Sequence, residues 1–201
     1  GGVGLRFGPA ARGLRLAFAR DGTVFITLGE RFTFERAQDL TNDLGKVVRI
    51  NPDGSIPKDN PWLSRATVLA DTFAHGFKDP EGAALHPQTG ELWMIDHGPQ
   101  GGDEINIVRA GKDYGWPDVS YGRQYDARQL DGRKNVRVGD GATSRPDVEE
   151  PIYYWVPSIA PSGMMFYTGD MFPEWKVNLF IGAMAGQHLV RLVLSGERVT
   201  A

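Results

Sequence analysis

Residues 95–117 read IDHGPQGGDEINIVRAGKDYGWP and gather the groups of this chain best suited to chemistry. Glycines surround a short strand-like run, Ile105 to Arg109. The paired carboxylates Asp103 and Glu104 stand on one side, and the Tyr114-Gly115-Trp116-Pro117 turn on the other. Glycine lets main-chain carbonyls converge without Cβ interference, and hard cations take carboxylate and carbonyl oxygens. Two readings follow: a tight corner in an all-β fold, or oxygens aimed at a bound group. The chain has no cysteine, which excludes disulfides and thiolate metal sites and leaves oxygen or histidine ligation. Its histidines are His75, His86, His97 and His188. Imidazole titrates near neutrality and suits proton transfer. His86 and His188 fall in strand-like runs and read as structural.

Such groups need a frame. The 201 residues suffice for one domain with a core, or for part of a larger one. The net charge of −3, with both signs dispersed, gives no basic footprint for nucleic acid. No apolar run is long enough to insert in a membrane, and no signal peptide is visible. The Gly-Gly opening implies that the natural start is missing or processed. Abundant glycine, proline and aromatic residues point to many turns and short strands.

Three segments read alike. Residues 16–29 are two strands around an Asp21-Gly22 turn, a strong hairpin signal. Residues 84–96 repeat the layout with Gly90 in place of Gly22, and 163–167 with 178–183 repeat it with a longer loop. A third apolar strand follows each pair, at 45–50, 103–108 and 187–192. A fourth short strand is expected at 66–69 and at 151–155. Four antiparallel strands repeated around an axis make β-propeller blades, here near 13–75, 82–157 and 163–201 of a single domain. The repeat exceeds the ~40–50 residues of familiar propellers, so the extra length belongs in loops. Three blades are too few for a ring of roughly four to eight, so an incomplete propeller is expected. A β-sandwich is the competing arrangement, and the repeat argues against it.

Several stretches in order along the chain resemble one family. They are TLGE (27–30), RAQDL (36–40), GKVVRINPDGSIPKDNP (45–61), HGPQGGDEINI (97–107), YGWP (114–117) and WVPSIAPSG (155–163). Together they resemble the soluble quinoprotein aldose dehydrogenases, the glucose/sorbosone dehydrogenase family of six-bladed propellers that use pyrroloquinoline quinone. The resemblance implies that the carbonyls of Gly98 and Pro99, in the corner that begins with His97, hold a calcium ion that polarises the quinone. It implies a second calcium at Glu104 and the Tyr114 carbonyl. Ser158, Ala160 and Pro161 would line the cofactor from the next blade. Asp103 is expected on the opposite strand face from Glu104, in solvent, and Trp116 and Trp155 in packing.

The pattern also breaks. Where the family carries His-Arg-Asn-Pro-Gln-Gly, residues 77–82 read FKDPEG. Lys78 keeps the charge of the cofactor-contacting arginine but loses its bidentate fork. Asp79 and Glu81 add negative charge beside an anionic cofactor. Alanine, Ala11, aligns with the histidine expected as base, Glu30 with an aspartate, and Ala185 with a cofactor-contacting lysine. His75 lies just upstream of the altered stretch, and His97 reads better as a cofactor neighbour than as a base. The implied activity is oxidation of an aldose at C1 to the lactone, with an external electron acceptor. The alternatives are a catalytically impaired calcium-binding propeller of the same family and a calcium-dependent sugar lactonase. The family implies a periplasmic or secreted location.

Overall fold

The structure is a computed structural model that describes residues 14–125 and 136–201. Strand β1 (Leu14–Phe18), β2 (Val24–Leu28), β3 (Lys46–Ile50) and β4 (Thr72–His75) form one sheet in chain order. A second sheet repeats the meander with β5 (Pro80–Leu85), β6 (Leu92–Asp96), β7 (Asp103–Val108) and β8 (Tyr153–Trp155). The third holds β9 (Pro161–Phe166), β10 (Leu179–Ala183) and β11 (His188–Leu192). A separate small hairpin follows, β12 (Leu194–Ser195) with β13 (Arg198–Val199). The leading strands pack in a row, β5 between β1 and β9, so the sheets stand as successive blades of a β-propeller.

The hairpins form where turn chemistry and apolar strands coincide. Gly90 takes φ +79°, a left-handed conformation open to glycine, and its N–H bonds the carbonyl of His86. This closes β5 onto β6 in the register Leu85 opposite Leu92. All of β6 is buried because both of its faces are covered. Leu92 and Met94 face the first blade with Phe25, Val47, Ala74 and Phe77. Trp93 and Ile95 face the third with Ile105, Ile107, Leu179 and Ile181. Period-two alternation thus puts one strand into two cores.

Two expectations need correction. The fourth strand of the first blade is β4, not 66–69. There the backbone is spent on a turn and a distant loop, with Val68 N–H on Arg65 O and Leu69 N–H on Leu40 O. His86 lies one residue beyond β5, in the turn rather than in the strand.

Side chains clasp the blades on the face of the β1–β2, β5–β6 and β9–β10 turns. The Arg20 guanidinium bonds the carbonyls of Pro87 and Gln88 across the first gap. Arg109 makes two bonds of 2.8 and 2.9 Å to Glu197 across the second.

Candidate functional site

The opposite rim carries the predicted site residues, because alternate connections of a meander emerge at the same end. Main-chain bonds link these loops in sequence. Glu30 N–H donates to Lys78 O at 2.8 Å and His97 N–H to Asp79 O at 3.0 Å. Met184 N–H donates to Ala160 O at 2.9 Å and Ala185 N–H to Ile159 O at 3.0 Å.

The corner at 97–102 is built on Gly98. A Cβ there would stand 2.3 Å from Gly101 O and 2.4 Å from Gly102 O, so only glycine lets the two backbone segments approach. The Gly98 N–H reaches Asp103 Oδ1 at 2.9 Å. Across the blade junction, Ile159 N–H reaches Asp103 Oδ2 at 2.7 Å, and Ser158 Oγ lies 2.8 and 3.0 Å from the two carboxylate oxygens. Asp103 is 0% exposed. It is therefore not the solvated strand residue expected, but the acceptor that joins the corner to the next blade's loop. Its parity explains this: Asp103, Ile105 and Ile107 share one face of β7, and the third blade covers that face.

His97 Nδ1 lies 2.6 Å from Gly98 O and 3.4 Å from Asp103 Oδ1. Both neighbours are acceptors, so this nitrogen carries the proton and a neutral ring keeps its lone pair on Nε2. The Gly98 carbonyl retains a second lone pair, and among the described residues the Pro99 carbonyl accepts no hydrogen bond.

Beneath the corner lies a small recess lined by Lys78, Asp96, Gly98, Glu104, Tyr114 and Trp116, among others. The structure thus brings Glu104 and Tyr114 to one place. Lys78 is buried there, its ammonium 2.9 Å from His97 O and 5.9 Å from the ring centres of Trp116 and Tyr125. It supports the corner from below. Asp96, opposite Glu104 in the β6–β7 register, accepts the N–H groups of Lys78 and Asp79 at 2.8 and 2.6 Å. Burial nevertheless pushes its carboxyl up to about 7. Burial and then the Asp96 carboxylate push Glu104 up to about 8, with one long 3.4 Å bond from Asn106 Nδ2 in opposition. The Tyr114 hydroxyl is spent on Ile107 O at 2.6 Å, while its carbonyl accepts no bond among the described residues. Two poorly neutralised carboxylates beside a free carbonyl are the donor set a divalent cation satisfies. Among the described residues no three His, Asp or Glu side chains converge as a cage, so a cation here would depend on main-chain oxygens.

The remaining predicted positions are distributed along the rim. Ala160 takes φ +48°, unusual for a residue with a Cβ, and Pro161 opens β9. Ala185, bonded through its N–H to Ile159 O, offers only a methyl. Glu81 on β5 meets Arg15 on β1 at 3.5 Å, so a cation compensates one of the two added charges. Burial, then Asp79, still raises the Glu81 carboxyl. Glu30 is buried. His75 is only 12% exposed, packs on Trp62 and lies 3.5 Å from Asp113. His188 is exposed on β11. Ala11 lies outside the described residues. Asp96 is the site residue that sequence reasoning missed. Its signal was an acid closing an otherwise apolar strand just before the glycine corner.

The model of the family described as "Glucose / Sorbosone dehydrogenase" matches residues 7–201. The chain is 40% identical over 188 residues to the aldose sugar dehydrogenase YliI of Escherichia coli (strain K12), covering 94% of this chain and 49% of that protein. It is 35% identical over 125 residues to the quinoprotein glucose dehydrogenase B of Acinetobacter calcoaceticus, 53% of this chain and 26% of that one. A crystal structure of a glucose dehydrogenase superposes with a TM-score of 0.85 at 42% identity, over 93% of this chain and 52% of that chain. The chain thus spans about half the length of the E. coli relative. The carboxylate-tied glycine corner, the blades and these matches lead to one conclusion: the chain belongs to the glucose/sorbosone dehydrogenase family.

Proposed function

We propose that the protein is a quinoprotein sugar dehydrogenase, oxidising the C1 hydroxyl of an aldose to the lactone. The observation that carries this reading is the corner at Gly98 and Pro99, tied by Asp103 to Ser158 and Ile159. When bound, pyrroloquinoline quinone would accept the hydride and calcium would polarise it as a Lewis acid. The Gly98 and Pro99 carbonyls would hold that calcium, and Glu104 with the Tyr114 carbonyl a second one. His97, Ser158, Ala160 and Pro161 would border the cofactor. Lys78 would act through the His97 carbonyl, while Asp79 sets the local charge. The His97 Nε2 lone pair is the hydrogen-bond acceptor offered at the rim. An external electron acceptor would complete the cycle, in the periplasm or outside the cell.

A second reading, a calcium-binding propeller with impaired catalysis, is favoured by Ala185 beside Ile159, where no ammonium is available. Titrating the purified protein with the quinone, with and without calcium, followed by aldose-dependent dye reduction, separates the two. Calcium-dependent quinone binding with turnover supports the dehydrogenase, and binding without turnover the impaired form. Absence of quinone binding sinks the proposal.

A further inference from the structure

On the face opposite the candidate site, a recess of about 340 Å³ opens between the second and third blades. Its walls include His86, Glu91, Trp93, Lys176, Val177 and Glu197. We infer that it is a binding site for an uncharged, hydroxyl-bearing small molecule, a sugar or polyol ring.

The lining includes two side chains with a donor to offer. Trp93 is 1% exposed and its Nε1–H has no partner among the described residues. A buried N–H without an acceptor is rare in folded proteins and calls for a ligand or an ordered water. His86 is buried beside it, the ring centres 5.4 Å apart. Its Nδ1 lies 3.3 and 3.2 Å from the N–H groups of Gln88 and Thr89 and accepts from them. The neutral ring therefore keeps its proton on Nε2, as a second donor. Burial lowers the His86 pKa and favours that neutral form.

The rim decides the ligand class. Glu197 is paired with Arg109 and Lys176 with Asp170, which leaves Glu91 as the acid of the lining with no ion pair among the described residues. An anion would meet that carboxylate, and a cation would meet two N–H dipoles. A hydroxyl group accepts from these donors and donates to that carboxylate, and a ring's C–H faces suit the aromatic walls. Val177, a β-branched residue at φ +66°, is held in an unfavourable conformation where it lines the recess.

The test is titration of the purified protein with myo-inositol and with acetate, with the indole N–H signals of its five tryptophans followed by NMR. Inositol has no anomeric hydroxyl, so the result is independent of the dehydrogenase reading. The expected result is a saturable downfield shift of the Trp93 signal with inositol, at most a weak response to acetate, and about tenfold weaker inositol binding in His86→Phe. An unmoved Trp93 signal, an equal response to acetate, or undiminished affinity in His86→Phe overturns the site. Unshifted Trp62 and Trp116 signals report that the variant is folded. If His86→Phe does not fold, Trp93→Phe is followed by saturation transfer to inositol, and full-strength binding there also overturns it.

Discussion

Asp103 accepts from donors on two loops, and a buried donor left without an acceptor costs roughly 1–3 kcal/mol. Asp103→Ala should therefore lower stability by about 3 kcal/mol or more, and Asp103→Asn by about half as much, read from urea unfolding. Equal stability of all three proteins would contradict the bridging role. The buried acids below the corner predict a pH dependence. Asp96 at about 7 and Glu104 at about 8 hold protons in the folded state that an unfolded chain releases near pH 4. Their contribution is complete below about pH 4 and is lost as pH rises through roughly 7 to 8. In chelator, Glu104→Gln should gain melting temperature over wild type as pH rises across that window. Added calcium should reverse the order, because a ligand that binds only the folded form stabilises it. A constant offset at all pH values, with no calcium effect, would remove Glu104 from any cation site. The corner itself was legible in its glycines and acids. The strand face of Asp103, opposite Glu104, was legible too; its burial was not, because the third blade that covers this face comes from far along the chain.

At the scale of elements, the hairpins were readable wherever a glycine turn separated two apolar runs, as at Gly22 and Gly90. The fourth strand of the first blade was not. Residues 66–69 include β-forming side chains, but the Val68 N–H bonds within a turn and the Leu69 N–H bonds Leu40 O, and Asn60 Nδ2 holds the carbonyls of Arg49 and Ala70 at 3.0 Å. Side-chain composition carries no record of such backbone commitments. The central strand β6 makes a sharper case. Its burial on both faces predicts that Ile95→Ala costs about 2–5 kcal/mol, while Leu189→Ala, on a residue 65% exposed, stays within about 0.5 kcal/mol. Denaturant unfolding of both variants measures the contrast, and similar losses would contradict the two-core account of β6.

Over the whole molecule, the repeat in the sequence corresponds to successive blades, and the family match extends over residues 7–201. What the repeat could not convey is how the blades are fastened, since that depends on partners far apart in the chain. The rim of the glycine corner is fastened by main-chain bonds and the buried carboxylates of Asp96 and Asp103. The other face is held across its gaps by Arg20 on two carbonyls and by Arg109 on Glu197, all largely in solvent. Salt screens exposed charges but hardly touches buried hydrogen bonds. Raising ionic strength should therefore speed amide exchange around residues 86–91 and 194–199 and leave 97–103 and 158–160 protected. Uniform acceleration would contradict this asymmetry. The two ends of each blade junction then have different tempers: one yields to the ionic medium, and the other yields only when the blades themselves part.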